Sequence, residues 1–232
     1  MSLELATRLT EVLLALVLLQ QSLEHLLARR PDPHHERAFF LCRIVLCALL
    51  IAGIAGPAPL IGLALLSLWY LNRFHGPYNG GSDRMGLLAL WCLTLSRLAP
   101  EPFWREMALG YLGIQLMLSY FISGWVKVVN PDWRSGRALR DVFAFSAYPV
   151  SETLRGWADS PRLLFVAAWG VMLLELAFPL AMTSAVALSA ALVLTATFHL
   201  ANACLFGLNR FFWTWLATYP ALLWLQARVT GA

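Results

Sequence analysis

The sequence predicts an all-α membrane protein: a polytopic bundle of seven to eight transmembrane helices, with a further surface-lying helix in the loop over residues 130–162. Three observations carry that expectation. Of the 232 residues, 59% are hydrophobic, where a soluble domain sits nearer half. Only 13% are charged, too few to cover a water-facing surface. The apolar residues also fall in runs close to the roughly 20 that a spanning helix needs. Seven or eight such spans leave no room for a soluble domain, so residues 1–232 read as one transmembrane domain.

The expected spans cover residues 9–28, 38–55, 58–74, 86–99, 106–129, 163–182, 184–206 and 211–227. Glu4, Arg8 and Glu11 ahead of the first purely apolar run, without a clear small-residue cleavage site, argue against a removable signal peptide. The first span is purely apolar only from Val12 to Leu19, and Gln20, Gln21, Glu24 and His25 follow. It either lies in the interface or packs its polar end inside the bundle. Gly56-Pro57-Ala58-Pro59 reads as a turn between the second and third spans. The stretch Asn79 to Asp83 reads as another turn, and the short fourth span after it as tilted or incomplete. Between the fifth and sixth spans, Asn130 to Arg162 holds Pro131, Trp133, Gly136, Pro149 and Pro161. Within it, from Gly136 to Tyr148, Arg137, Arg140 and Asp141 alternate with Leu139, Val142, Phe143 and Phe145, a pattern suited to a helix at the membrane surface.

The net charge of +4 does not point to nucleic acid, because membrane proteins concentrate Arg and Lys in cytoplasmic loops. With eight spans, thirteen of the seventeen basic residues fall on one side. That side includes Lys127 and is expected to face the cytoplasm, with both termini outside. The expected location is a bacterial inner membrane, with the lipid bilayer as first partner. Cys42, Cys47, Cys92 and Cys204 lie in apolar runs without CxxC spacing and read as packing residues. His34-His35-Glu36 reads as a loop cluster with no second ligand group to complete a metal site, so no metal is expected.

Polar residues inside the spans carry the functional signal. The chain has sixteen arginines and a single lysine, Lys127, at the end of an apolar helix. Steps of four back from it give Ser123, Ser119 and Gln115, one helix face, flanked by Tyr120 and Gly124. Such a stripe belongs in a bundle interior or polar cavity; the alternative is a lysine snorkelling to the head groups. Glu175 lies in the sixth span, where a carboxylate must be neutral or paired. Pro179, four residues on, removes the hydrogen bond normally made to the carbonyl of Glu175. His199 in the seventh span has Thr195 four before and Asn202 three after. A lysine, a glutamate and a histidine buried together could be tuned for proton transfer; each could equally be a hydrogen-bonded structural residue.

The stretch "YFISGWVKVVNPDWRSGRAL" resembles the signature of the HTTM family, the transmembrane domain shared with vitamin K-dependent gamma-glutamyl carboxylase. Its elements are a small residue three before a lysine, then W–x–x–G: here Gly124, Lys127, Trp133 and Gly136. "ELAFPLAM" and "FHLANACLFGLNRFFW" are similar to later elements of the family, at Glu175, Pro179, His199 and Phe211. The resemblance implies that Lys127 is a base acting on a lipid-soluble, quinone-like molecule. Glu175 and His199 would tune or orient it, and Gln115, Ser119, Tyr120, Ser123, Trp133 and Asn202 would line the pocket. A quinone is the cofactor this implies. Full gamma-carboxylation is not expected. The region matching the carboxylase's assisting histidine reads "NGGSDRM", His75 is several residues too early, and the sequence runs just past its last expected span, where the carboxylase has a large extramembrane region that holds its protein substrate. A second reading is a non-catalytic membrane partner in the export or maturation of a peptide, as in relatives of the sporulation-delay type. A channel or transporter is a third, without a repeated charged ring or inverted symmetry to support it.

Overall fold

A chain in hydrocarbon has to satisfy its own backbone polar groups, and each of the eight apolar segments accordingly winds into a helix. The computed structural model describes residues 1–27, 34–73, 80–145 and 152–231. All its elements are helical: α1 (Leu3–Leu27), α2 (His34–Ala52), α3 (Ala58–Arg73), α4 (Gly80–Leu98), α5 (Pro102–Val129), α6 (Pro131–Arg134), α7 (Arg137–Phe145), α8 (Glu152–Arg155), α9 (Pro161–Ala177), α10 (Ala185–Phe206) and α11 (Asn209–Thr230). Tighter 3₁₀ turns occupy Gly156–Asp159 and Phe178–Thr183. Among the described residues, three segments are long and apolar enough to cross a membrane: Pro102–Val129, Pro161–Thr183 and Ala185–Phe206.

Local chemistry sets the boundaries. Proline opens α5, α6 and α9, where its missing N–H would be unsatisfied in any case. Ser184 caps α10 by accepting from the Ala187 N–H at 3.1 Å, and Gly207 ends it with φ 68°. Two expected loops are helical instead. The backbone of His34-His35-Glu36 forms the first turn of α2, and Gly80 to Asp83 that of α4. Asn79 and His75 lie outside the described residues.

The chain divides into two units. The first comprises Met1–Gly113 with Trp213–Val229. Here α1 packs along α2 and α4 and buries part of its polar residues, Glu11, Gln21 and Ser22 among them. Glu11 is buried and receives Arg97 through Nε at 2.6 Å and Nη2 at 3.0 Å, with Arg8 at 3.3 Å. Arg8 also donates to the carbonyls of Leu50 and Ile51 at 2.7 and 2.6 Å, closing the C-terminus of α2 with a cation. At the other end of α1, buried Arg43 donates to Gln21 Oε1, and Gln21 Nε2 reaches Asp83 at 3.3 Å. His25 stacks on Phe40 at 4.5 Å and meets the Tyr70 hydroxyl at 3.3 Å. Gln20 and Glu24 stay exposed and bond each other at 3.1 Å.

The second unit comprises Ile114–Phe212 with Thr230–Ala232. The expected amphipathic helix is α7; it begins one residue after the start of the sequence pattern, because Gly136 is a turn at φ 79°, and residues 146–148 lie outside the described ones. Part of its apolar face docks on protein, while Val142 and Phe145 stay exposed. Phe143 packs with Ala158, Leu164 and Phe206, and Leu139 leans against the same cluster. Arg155 donates to the Ala144 carbonyl at 2.8 Å and closes the last turn of α7.

Removing one partner of a buried ion pair leaves the other stranded, at about 3–5 kcal/mol when fully buried. Arg97 is 28% exposed in its side chain and Arg8 stays near Glu11, so Arg97→Met is expected to cost roughly 2 kcal/mol. Thermal unfolding in detergent should show a lowered midpoint, and adding Glu11→Gln should recover part of the loss.

Candidate functional site

The site begins at a place where two helices can come unusually close. On α5, Gly124 has no side chain, and a Cβ built there would sit 2.8 Å from the Leu176 backbone nitrogen and 2.9 Å from the Glu175 Cβ of α9. Only glycine fits this contact, the small-residue device by which membrane helices pack backbone to backbone. Three residues on, one turn further along the same face, stands Lys127.

Close approach brings Lys127 Nζ to both oxygens of Glu175, Oε1 at 2.7 Å and Oε2 at 2.6 Å. Its third hydrogen goes to Ser123 Oγ at 2.6 Å, and Ser123 in turn donates to Glu175 Oε1 at 3.1 Å. The three side chains close a ring in which all three ammonium donors meet an oxygen. Neither charged group is water-exposed to any extent that would screen it: Lys127 is 16% and Glu175 4% exposed in its side chain. The Trp133 ring lies 5.4 Å from Nζ, within range of a cation–π contact.

Trp133 is held there by its own short helix. Asn130 caps α6, accepting from the Asp132 N–H at 2.9 Å. The indole N–H of Trp169 on α9 donates to the Arg134 carbonyl at 3.1 Å. Gly136 then turns at φ 79° against α9, where a Cβ would lie 3.0 Å from the backbone of Phe165. Positive φ and lack of space both call for glycine. The spacing from Gly124 to Gly136 thus has a physical reading: one glycine admits α9 to the lysine, the other returns the chain onto α9 after the tryptophan.

Proline acts from the other side. Pro179 has no N–H for the Glu175 carbonyl, but that carbonyl is not left free as the sequence suggested. The Phe178 N–H takes it, one residue early, and the chain tightens into the 3₁₀ turn Phe178–Thr183.

His199 is buried and its Nε2 lies 3.0 Å from the Tyr120 hydroxyl. Tyr120 stands three residues before Ser123, so the two neighbouring turns of α5 carry one contact to His199 and one to Glu175. The other expected residues behave differently. Ser119 donates to its own helix at Leu116 O, 2.6 Å away, and Thr195 likewise to Ala191 O at 2.9 Å. Gln115 is half-buried, and Asn202 gives its backbone carbonyl to the Gly207 cap. No hydrogen bond among the described residues joins either side chain to the pair. Phe178 was not foreseen: its ring packs on Tyr120 at 4.3 Å between centroids. The aromatic residue beside the helix-breaking Pro179 was the available signal. No group of three or more His, Cys, Asp or Glu among the described residues is placed to hold a metal.

The family model described as HTTM domain matches residues 92–226, more than half of the 232 and inclusive of every residue of this site. No curated protein and no solved structure matches the chain.

Gly124→Ala should force α5 and α9 apart and cost about 1–3 kcal/mol, the usual penalty for overpacking. Gly170→Ala on α9, where a Cβ meets nothing within 4 Å, should be neutral or slightly stabilising. Thermal unfolding of both variants in one detergent checks the contrast.

Proposed function

This chain belongs to the HTTM family, and on that premise we propose that it is an intramembrane enzyme whose lysine exchanges a proton with a lipid-soluble, quinone-like molecule. The observation that supports it most is the ring of Lys127, Ser123 and Glu175. A lysine can give up its proton where an arginine cannot, and Glu175 is in direct contact to receive it. That transfer leaves a neutral amine and a carboxylic acid. The amine then takes the proton of an acidic hydroxyl, such as that of a reduced quinone, and the ammonium so formed stands beside the new oxyanion and stabilises it. Trp133 would flank the ring of such a ligand, and His199 would serve the pair from Tyr120. In the carboxylase that this family resembles, the lysine at the motif position is the base acting on reduced vitamin K. Gamma-carboxylation itself is not proposed here.

The same proposal takes residues 1–232 as one transmembrane domain of seven to eight spans in a bacterial inner membrane. Eight long helices at the expected segments support it. In it, Lys127 opens to the cytoplasmic side, where the basic residues gather, and α7 lies at the membrane surface.

A second reading is a non-catalytic partner in the maturation of an exported peptide. One observation favours it: every ammonium hydrogen of Lys127 already meets a protein oxygen, as in a purely structural pair. Mass spectrometry of the lipids and quinones that copurify with wild type and with Lys127→Met separates the two. The enzyme reading expects a quinone-like molecule enriched in wild type and reduced at least roughly tenfold in the variant, the worth of one charged hydrogen bond. Indistinguishable extracts overturn it and leave the partner reading.

A further inference from the structure

We infer that Tyr120 and His199 are positioning residues: they set the Lys127–Glu175 pair through Phe178. The inference takes its catalytic meaning from the proton-exchange reading above, on which it rests.

Three helical segments meet at Tyr120, which is 2% exposed. Its hydroxyl holds His199 of α10 at 3.0 Å. Its ring packs on Phe178 at 4.3 Å with the planes 32° apart. Its own backbone belongs to α5, one turn before Ser123 and Gly124. Phe178 is the residue whose N–H carries the Glu175 carbonyl in place of the one that Pro179 lacks. A clamp on the Phe178 ring is therefore a clamp on the last turn of α9, three residues from the carboxylate.

The pair is sensitive to that turn. Its contacts are 2.6 and 2.7 Å, and such bonds weaken once they pass about 3.2 Å. A shift of about half an ångström is the tolerance of a preorganised site. On the opposite flank Gly124 leaves α9 no slack toward α5. The end of α9 is thus held between Gly124 and Tyr120, and His199 fixes where the Tyr120 ring stands. Thr195, buried on the same helix, directs its hydroxyl to nearby backbone of α10 at Ala191 and Leu192.

The single lysine of the chain makes a direct test available. Protein labelled with [¹⁵Nζ]lysine gives one side-chain signal, which reports the bonding and charge of Lys127 without any substrate. Glu175→Gln should move that signal most. Tyr120→Phe, which keeps the ring on Phe178, and His199→Gln should each move or broaden it by a smaller amount. The double variant should go no further than the larger single change, because both remove one shared bond. Thr195→Ala should leave it in place. The inference is overturned if Tyr120→Phe and His199→Gln match wild type while Glu175→Gln moves the signal, or if Thr195→Ala moves it as much as they do. A shifted signal together with no lysine-dependent quinone sinks the enzyme reading and keeps the coupling. Lysine-dependent quinone with an unmoved signal does the reverse.

Discussion

A charge placed among apolar helices must bring its counter-charge with it, and most of this structure can be understood as the means of arranging that. An unpaired ion in the hydrocarbon is costly by several kcal/mol, so the few charged residues inside the helices fix which helices meet. Lys127 requires Glu175, and this joins α5 to α9. Glu11 requires Arg97 and Arg8, which joins α1 to α4 and to the end of α2. Arg43 reaches Asp83 by way of the amide of Gln21. Apolar packing in a bilayer offers little to choose between alternative neighbours, since lipid tails are as apolar as leucine; the ionic contacts supply the choice.

The glycines and prolines around the site follow from the same requirement. The 2.6 Å salt link between α5 and α9 lies one turn from a backbone contact that any side chain at position 124 would obstruct. Gly124 leaves that contact open opposite Glu175 and Leu176. Gly136 permits the turn that returns the chain to α9, and the intervening residues carry Trp133 over the ammonium. Pro179 changes the winding after Glu175 and delivers Phe178 to Tyr120. What looks like a string of separate motif letters is one packing solution.

Helical periodicity put four polar residues on one face of α5, and their hydrogen bonds differ. Of the stripe Gln115, Ser119, Ser123 and Lys127, only Ser123 serves the lysine; Ser119 bonds back to its own helix. A hydroxyl in a helix can satisfy itself on the carbonyl three or four residues before it, so spacing alone does not distinguish a site residue from a self-contained one. The Thr195 hydroxyl likewise bonds a carbonyl four residues before it. Loop assignments failed for a related reason. His34 and Gly80 begin helices although polar and glycine-rich stretches usually read as turns, because a helix start tolerates polar groups and glycine in its first turn.

The sequence by itself determined that the chain is helical and membrane-embedded, where the long apolar segments lie, that it resembles the HTTM family, and that Lys127, Glu175 and His199 are the side chains out of place. These are local matters of composition, periodicity and motif spacing, and each can be read from neighbours within a few turns. Partnership was decided only in the tertiary structure. Nothing local says that Lys127 meets Glu175, 48 residues away, while His199 meets Tyr120, 79 residues away. Nor does it say that a buried glutamate near the N-terminus belongs to Arg97. Those choices depend on which helices lie side by side closely enough for the two side chains to meet, and no stretch of a few turns specifies its distant neighbour.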